Sequence, residues 1–141
     1  EVLRQAVHDL IYIGLDNIGG YFDVSAVAGW RNLQSYSSLT STQVADQIAS
    51  GNVTVLDVRG SSEWNAGHIP GARHLMLGYL PEKLQELPTD RPVVVHCRTN
   101  NRSAIGASLL QANGIANVMK LEDGIQGWTA AGLPLEYNGK S

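Results

Sequence analysis

The sequence predicts an α/β domain built on an open, largely parallel β-sheet flanked by helices. Short apolar runs rich in valine are typical of strands that are buried on both faces of a sheet. These runs alternate along the chain with segments that carry helix-start and helix-stop residues. Because strands that alternate with helices indicate βαβ units, we expect most of the strands to run parallel.

The predicted elements of this domain begin at Thr40. The stretch T-S-T-Q fits a capping box with Thr40 as N-cap and Gln43 at the third helical position, and Gly51 ends this first helix. Pro81 near a first turn and Pro88 beyond an end favour a helix between them. The remaining predictions are strands over 53–58, 92–96 and 117–121, a short helix around 63–66, and helices over 80–87, 102–114 and 125–132.

The first 38 residues do not fit this domain, but they resemble part of it. Shifted by one hundred positions, Gly14 falls on Gly114 within similar flanking sequence, and a fixed offset of this kind indicates internal repetition. We therefore predict that residues 1–30 are the last helix–strand–helix of a preceding related unit, that residues 31–38 are a linker, and that residues 39–141 form the main domain. Two unrelated helix–glycine–strand joints are the alternative interpretation.

The composition is that of an ordinary globular domain. The chain has 141 residues, of which 43% are hydrophobic. Its net charge of −3 gives no reason to expect nucleic acid or a membrane surface as a partner. No apolar stretch approaches the roughly 18 residues of a membrane span, and we expect no signal peptide. A single cysteine excludes an internal disulfide and fits a reducing compartment, so we expect a cytoplasmic location.

The single cysteine lies where a predicted buried strand meets a basic loop. Cys97 opens the segment C-R-T-N-N-R, which leads into a helix predicted to begin near Arg102 or Ser103. Backbone amides of such a loop form a concave anion-binding site, and the helix N-terminus adds its positive dipole. The same field stabilises a thiolate at the base of the loop, and Arg98 and Arg102 add full charges. The context predicts a nucleophile, with a buried structural thiol as the alternative.

The histidines are not predicted to complete this site. His96 and Cys97 are neighbours at the end of a strand, so their side chains point to opposite faces, and His96 is predicted to pack within the sheet. His8, His68 and His74 show no metal-ligand spacing. We therefore expect neither a metal nor a cofactor.

From about Thr40 to Glu136 the sequence resembles the rhodanese (sulfurtransferase) domain, which implies the rhodanese-like α/β fold. Its landmarks stand in order as L-D-V-R (56–59), E-W-N-A-G-H-I-P-G-A (63–72), V-V-V-H-C-R-T-N-N-R-S (93–103) and L-E-D-G-I-Q-G-W (121–128). The second and third landmarks together are highly specific, although neither would be alone. Residues 1–38 look like those of proteins in which a metallo-β-lactamase-like domain precedes two rhodanese modules, and such fusions are associated with persulfide oxidation.

The resemblance implies sulfur transfer by covalent catalysis. Cys97 would attack the outer sulfur of thiosulfate or of a low-molecular-weight persulfide such as glutathione persulfide, and a thiol or cyanide would then remove that sulfur from a Cys97 persulfide. Arg98 and Arg102 would bind the donor anion and stabilise the persulfide. The rest of the loop would contribute amides from Thr99, Asn100 and Asn101 and a hydroxyl group from Ser103.

The sequence departs from the rhodanese pattern at two positions. Asn100 stands where many active loops have glycine; asparagine tolerates a positive φ better than most residues, so we expect the loop to keep its shape at modest cost. Asp123 replaces the first glycine of a later G-G-x-x-x-W pattern.

Supporting residues are predicted near the end of the first strand of the main domain. Asp57 and Arg59 could reach the active-site region, although local ion pairing is the more common role for such a pair. Glu63, together with Gly67, is predicted to shape a turn that packs against them.

Two other functions are alternatives to sulfur transfer. Cysteine phosphatases and arsenate reductases share a cysteine–arginine loop, but their pattern has five residues between the two, whereas four separate Cys97 from Arg102. A tetrahedral phosphate should therefore fit poorly, while a single sulfur on Cys97 should fit well. The other alternative is a non-catalytic rhodanese-like module that binds a partner or relays sulfur, although such modules commonly lack the cysteine.

Overall fold

The computed structural model describes residues 1–12, 14, 17–30, 35–88 and 90–138. The chain divides into two units, Glu1–Gln34 and Ser35–Ser141. The second unit holds the sheet and every predicted site residue. Within the described ranges, no helix is both long enough and apolar enough to cross a membrane.

The second unit is an α/β fold with one five-stranded sheet. Its strands are β1 (Ser37–Leu39), β2 (Thr54–Asp57), β3 (Arg73–His74), β4 (Val93–His96) and β5 (Val118–Leu121). The α-helices are α1 (Val2–Tyr12) in the first unit and α2 (Ser41–Ala49), α3 (Ser61–Asn65), α4 (Asn101–Ala112) and α5 (Gly124–Ala130) in the second. The strand order is β1-β5-β4-β2-β3, and every pairing is parallel. The predicted fold class is confirmed.

The start of α2 confirms the predicted capping box. The Thr40 hydroxyl accepts a hydrogen bond from the Gln43 amide at 3.3 Å, and Gln43 Oε1 accepts one from the Thr40 amide at 2.9 Å. Gly51 follows the helix with a φ of +67°, the left-handed conformation that commonly ends helices.

Apolar side chains cover both faces of the sheet. Val95 of β4 belongs to one core cluster with Leu110 of α4, and Val94 belongs to a second cluster with Val44 of α2. Neighbouring valines contribute to opposite clusters because side chains alternate along a strand. Full burial of one such side chain stabilises the fold by about 1.5–3 kcal/mol. The core therefore fixes the position of β4 and of the residue that follows it.

Several predicted elements differ from the structure. The segment predicted as one helix over 80–87 forms two 3₁₀ helices, Leu77–Glu82 and Leu84–Glu86; Pro81 lies inside the first, where it can donate no backbone hydrogen bond. The linker predicted over 31–38 is wrong at its end, because Ser37 and Ser38 form β1 and pair with β5. Residues 31–34 of that prediction lie outside the described part of the chain.

The first unit contains α1 and a 3₁₀ helix, Val24–Val27. The strand predicted between them is absent from the described residues, since a strand needs a neighbour to satisfy its backbone hydrogen bonds. The helix ends, however, match those of the second unit. The Gly14 amide donates to the Ile11 carbonyl at 2.9 Å with a φ of +84°, and the Gly114 amide donates to the Gln111 carbonyl at 3.0 Å with a φ of +87°.

Candidate active site

Cys97 is the first residue after β4, and its side chain is buried, with 1% of its surface exposed. The thiol donates to the Ser103 hydroxyl oxygen at 3.5 Å, and the Ser103 hydroxyl donates in turn to the Asn100 carbonyl at 2.8 Å. The hydroxyl predicted from Ser103 therefore lies against the sulfur. The structure therefore places a buried, hydrogen-bonded thiol at the base of the loop that leads into α4.

In the described part of the chain, the backbone amides of this loop have no hydrogen-bond acceptor. Among the residues that the structure describes, no backbone N–H from Arg98 to Ser103 donates to a backbone or side-chain acceptor. The carbonyls of Cys97 and Arg98 accept hydrogen bonds from the α5 amides of Ile125 (2.9 Å) and Gln126 (3.2 Å). Because the C=O and N–H of one peptide unit point in opposite directions, the amides of Arg98 and Thr99 point away from α5. Backbone amides without an acceptor are groups that can bind an anion in loops of this kind.

Gly124 allows α5 to approach the loop. Its φ of +57° lies in the left-handed region, and a Cβ at this position would lie only 2.6 Å from the carbonyl oxygens of Cys97 and Thr99 and 2.7 Å from that of Arg98. Only glycine fits such a backbone conformation at such a distance. This role of Gly124 was not predicted, although its place in the G-x-x-x-W landmark was a usable signal.

Arg98 and Arg102 have different surroundings. Arg98 is exposed and lines an open cavity of about 690 Å³ beside the loop, together with Gln126 and Thr129. In the described part of the chain it has no ion-pair or hydrogen-bond partner through its side chain. Arg98 therefore lines an open cavity without a counter-charge among the described residues.

Arg102 forms a bidentate ion pair with Glu63 of α3. Its Nη1 and Nη2 atoms donate to the two carboxylate oxygens of Glu63 at 2.6 and 2.9 Å. The hydrogen bonds from Arg102 lower the pKa of Glu63 from 4.5 to about 2, and the same contact raises the pKa of Arg102 above its ordinary value. This pair could not be predicted from the sequence, because the two residues lie far apart in the chain and only the fold brings them together.

Asp57 and Arg59 form a buried ion pair. Arg59 Nη2 donates to Asp57 Oδ2 at 2.6 Å and to the Gly67 carbonyl at 2.8 Å, and Arg59 Nε donates to Asp57 as well. The predicted local pairing and the packing of the Gly67 turn against it are thus present. Arg59 also borders the cavity beside Arg98, so the pair supports one wall of the site.

His96 is buried in the sheet, as predicted, at the level of Asp57. Its Nδ1 atom lies 3.3 Å from the Cys97 carbonyl, and its Nε2 atom lies 3.5 Å from Asp57 Oδ2. Burial lowers the pKa of His96 below its ordinary value. The His96 imidazole is therefore a buried group of the sheet that contacts the backbone of Cys97.

The middle of the loop is exposed, and Asn100 lies outside the usual helical and extended backbone regions. Thr99, Asn100 and Asn101 all face solvent. Asn100 has a φ of −147°, so the expectation that this position would need a positive φ is wrong. The Asn100 side chain instead accepts a hydrogen bond from Lys120 of β5, a buried residue that the sequence analysis did not single out.

The site thus combines a buried thiol, loop amides without an acceptor among the described residues, and Arg98 at the edge of an open cavity. The profile described as the rhodanese-like domain matches residues 40–131. The chain belongs to the rhodanese-like domain family. Its landmark loop, its parallel sheet and its helix arrangement are those that the resemblance implied.

Relatives in the rhodanese-like family differ in size and printed function. A sulfurtransferase from Allochromatium vinosum is 34% identical over 100 residues, which cover 70% of this chain and 94% of that protein. An HTH-type transcriptional regulator from Mycobacterium tuberculosis is 35% identical over 100 residues, which cover 70% of this chain but only 44% of the regulator. The solved structure of a rhodanese-related protein from Thermoplasma volcanium has a TM-score of 0.67 at 33% identity, covering 72% of this chain and 98% of that one.

Proposed function

We propose that this protein is a sulfurtransferase that moves a sulfane sulfur through a Cys97 persulfide. The observation that carries the proposal is the set of unpaired amides around the buried thiol. A persulfide places a terminal anionic sulfur above Cys97, and N–H groups that are already oriented stabilise such a charge without reorganisation. A relative named sulfurtransferase, 94% of which the match covers, agrees with this chemistry.

The proposed reaction has two displacement steps. The Cys97 thiolate attacks the outer sulfur of thiosulfate or of a low-molecular-weight persulfide such as glutathione persulfide. The sulfur–sulfur bond of the donor breaks, and its electron pair leaves with sulfite or with the thiolate of the donor. A thiol or cyanide then attacks the sulfane sulfur, and the Cys97 thiolate leaves, so the cysteine is regenerated.

Arg98 has the surroundings expected of the donor-binding residue. It is exposed at the cavity and has no partner among the described side chains, so binding an anion breaks no existing ion pair. Arg102 is held by Glu63, and we assign it to the persulfide loop, where its charge is partly neutralised. The cavity volume of about 690 Å³ admits a peptide-sized persulfide as well as thiosulfate.

Intact mass spectrometry tests the function. We expect wild-type protein to gain one sulfur, about 32 Da for this covalent intermediate, after incubation with thiosulfate or glutathione persulfide, and to lose it on addition of cyanide or thiol. The Cys97→Ser variant should gain nothing while it retains the thermal unfolding curve of the wild type. The faster of the two donors identifies the preferred class. Absence of the adduct with both donors would contradict catalysis and favour the non-catalytic relay or binding module.

A reducing compartment suits this chemistry. Cys97 has no cysteine partner in the chain and must be a thiolate to react, so we propose a cytoplasmic location. Recovery of the protein by cell fractionation in a compartment where disulfides form would contradict this location.

We also propose that residues 1–30 belong to a preceding rhodanese-like unit, as in metallo-β-lactamase–rhodanese fusions. The matching turns at Gly14 and Gly114 support this origin, as does the separate grouping of Glu1–Gln34. Deletion of residues 1–34 should then leave the unfolding midpoint and sulfur loading of the second unit unchanged. A large loss of stability would instead make this segment part of the second unit.

A further inference from the structure

Lys120 of β5 is a buried cation that no step of the proposed reaction uses. The residue is 7% exposed. Its ammonium donates to Asn100 Oδ1 in the loop and lies 5.9 Å from the centre of the Tyr36 ring, so both of these partners are uncharged. No carboxylate in the described part of the chain forms an ion pair with it. A buried charge without a counter-charge destabilises a fold, and an anion that binds nearby would offset this effect.

The sheet directs Lys120 toward the face that holds the thiol. In the parallel pairing of β4 with β5, Lys120 is the register partner of Val95, two positions before Cys97. Val95 and Cys97 belong to one core cluster with Val118, which lies two positions before Lys120. Because residues two apart on a strand share a face, Lys120 and Cys97 lie on the same side of the sheet. The strand spacing of about 4.8 Å and the length of two residues, about 6.6 Å, place their α-carbons about 8 Å apart.

Lys120 differs from the arginine residues around the site in being both buried and unmatched by a carboxylate. Two of those arginine residues form ion pairs, which are Arg59–Asp57 and Arg102–Glu63. A matched pair presents little net charge to a third group. Arg98 has no ion-pair partner among the described residues, but it is exposed, so water and salt screen its charge. In the described part of the site, Lys120 therefore joins burial to a net positive charge.

We propose that Lys120 supplies a buried positive charge that stabilises the anionic sulfur on Cys97, first in the thiolate and then in the persulfide. The inference rests on the proposed sulfurtransferase function and adds to it a residue outside the loop. A charge that the fold has already placed stabilises an anion without reorganisation, and it acts more strongly in a buried site than in water. The loop amides would bind the sulfur by hydrogen bonds, whereas Lys120 acts at longer range through its charge.

Substitutions of Lys120 in the intact chain separate its charge from its shape. Lys120→Met removes the charge from a side chain of similar shape, and we expect persulfide formation at saturating thiosulfate to slow by about tenfold. The thiosulfate concentration that gives half of the maximal rate should change less than about twofold, because Arg98 is untouched. Lys120→Arg keeps the charge and should load Cys97 within about threefold of the wild-type rate.

The control for the loss of one positive charge is Lys83→Met. Lys83 is exposed and paired with Glu86, so this variant should load Cys97 within about twofold of the wild-type rate. Equal losses in Lys120→Met and Lys120→Arg would overturn the proposal, because the shape of the lysine would then matter and its charge would not. An unchanged rate in Lys120→Met would overturn it as well.

A second pair of variants matches the charge while Lys120 stays in place. Asn100→Asp puts a carboxylate where the amide oxygen accepts from the ammonium, whereas Asn100→Ala removes that oxygen and adds no charge. We expect the aspartate variant to load Cys97 about tenfold more slowly than the alanine variant, because a matched pair presents little net charge to the sulfur. Equal rates would contradict the proposal even if Lys120→Met does not fold.

Alkylation with iodoacetamide separates this proposal from the function on which it rests. The reagent is uncharged and reacts with the thiolate, so its rate reports the anionic state of Cys97 without any sulfur transfer. At about pH 7, alkylation of Lys120→Met should be about tenfold slower than that of wild type or Lys120→Arg. If wild type forms no persulfide but alkylation follows the charge at position 120, the function fails and the role of Lys120 stands. If persulfide forms and alkylation is equally fast in Lys120→Met and wild type, only the role of Lys120 fails.

Discussion

The loops that follow β2 and β4 lie side by side and differ in how their polar groups are satisfied. Asp57 and His96 end these neighbouring parallel strands at the same level. After β2, the Asp57 carboxylate is paired with Arg59, and Arg59 also bonds the Gly67 carbonyl. After β4, the carbonyls are paired with α5 but the amides of the described loop are not. The polar groups of the first loop are paired within the protein, whereas the amides described in the second loop have no acceptor.

Whether a polar group has a partner within the protein predicts a structural or a binding role better than the residue type does. Both loops carry arginine, and both lie at the carboxyl edge of the sheet, where ligands of open α/β sheets bind. The β2 loop has its charges matched, so losing one partner should affect folding. The β4 loop has donors without acceptors, so a change there should affect sulfur transfer.

The largest effect is expected from Asp57→Asn. The change leaves the Arg59 guanidinium buried without a counter-charge, and removal of one partner of a buried pair costs about 3–5 kcal/mol. Urea unfolding at neutral pH should show this loss in the free energy of unfolding. The matched control is Asp90→Asn, which breaks the exposed pair with Arg91 and should cost less than about 1 kcal/mol. Equal losses in the two variants would mean that the buried pair is not essential to the fold.

Gly124→Ala should displace the β4 loop, although Gly124 itself belongs to α5. A Cβ 2.6 Å from two loop carbonyls forces α5 and the loop apart, and the displaced amides should lower the rate of Cys97 persulfide formation by about a hundredfold. Gly132→Ala is the control, because Gly132 has a φ of +70° but no atom within 4 Å of the added Cβ. It should share the cost of left-handed backbone, about 1 kcal/mol, without the loss in rate. Similar rates in both variants would show that the close approach of α5 does not shape the loop.

The sequence predicted what local patterns determine. The valine runs of β2 and β4, the Thr40 capping box and the strand–cysteine–helix order are each encoded within a few neighbouring residues. They were sufficient for the fold class and for the position of Cys97 between a buried strand and a helix.

Contacts between distant segments could not be predicted in this way. Glu63 meets Arg102, and Lys120 meets Asn100, only after the parallel sheet has set which segments are neighbours. The edge strand β1 was missed because a three-residue polar strand is defined by its partner β5 and carries no apolar alternation of its own.

The smallest effect is expected from Glu63→Gln, which releases Arg102 from its ion pair. The pKa of Glu63 falls from 4.5 to about 2 because of the hydrogen bonds from Arg102. A full shift of this size would correspond to about 3 kcal/mol. The Glu63 and Arg102 side chains are 32% and 37% exposed, however, so solvent screening reduces our expectation to about 1 kcal/mol.

The contribution of the Glu63–Arg102 pair to the free energy of unfolding should depend on pH. Because the folded-state pKa of Glu63 is the lower one, the stabilisation is complete above its ordinary pKa of 4.5 and is lost as the pH falls from there toward about 2. Urea unfolding should therefore show Glu63→Gln less stable than wild type at about pH 6, with the difference shrinking by about pH 3. Glu86→Gln, which breaks the exposed pair with Lys83, is the control for a general change in charge. If the difference in unfolding free energy does not change with pH, Glu63 stabilises the fold by packing and not by its charge. The Arg102 guanidinium would then be an unpaired donor of the β4 loop.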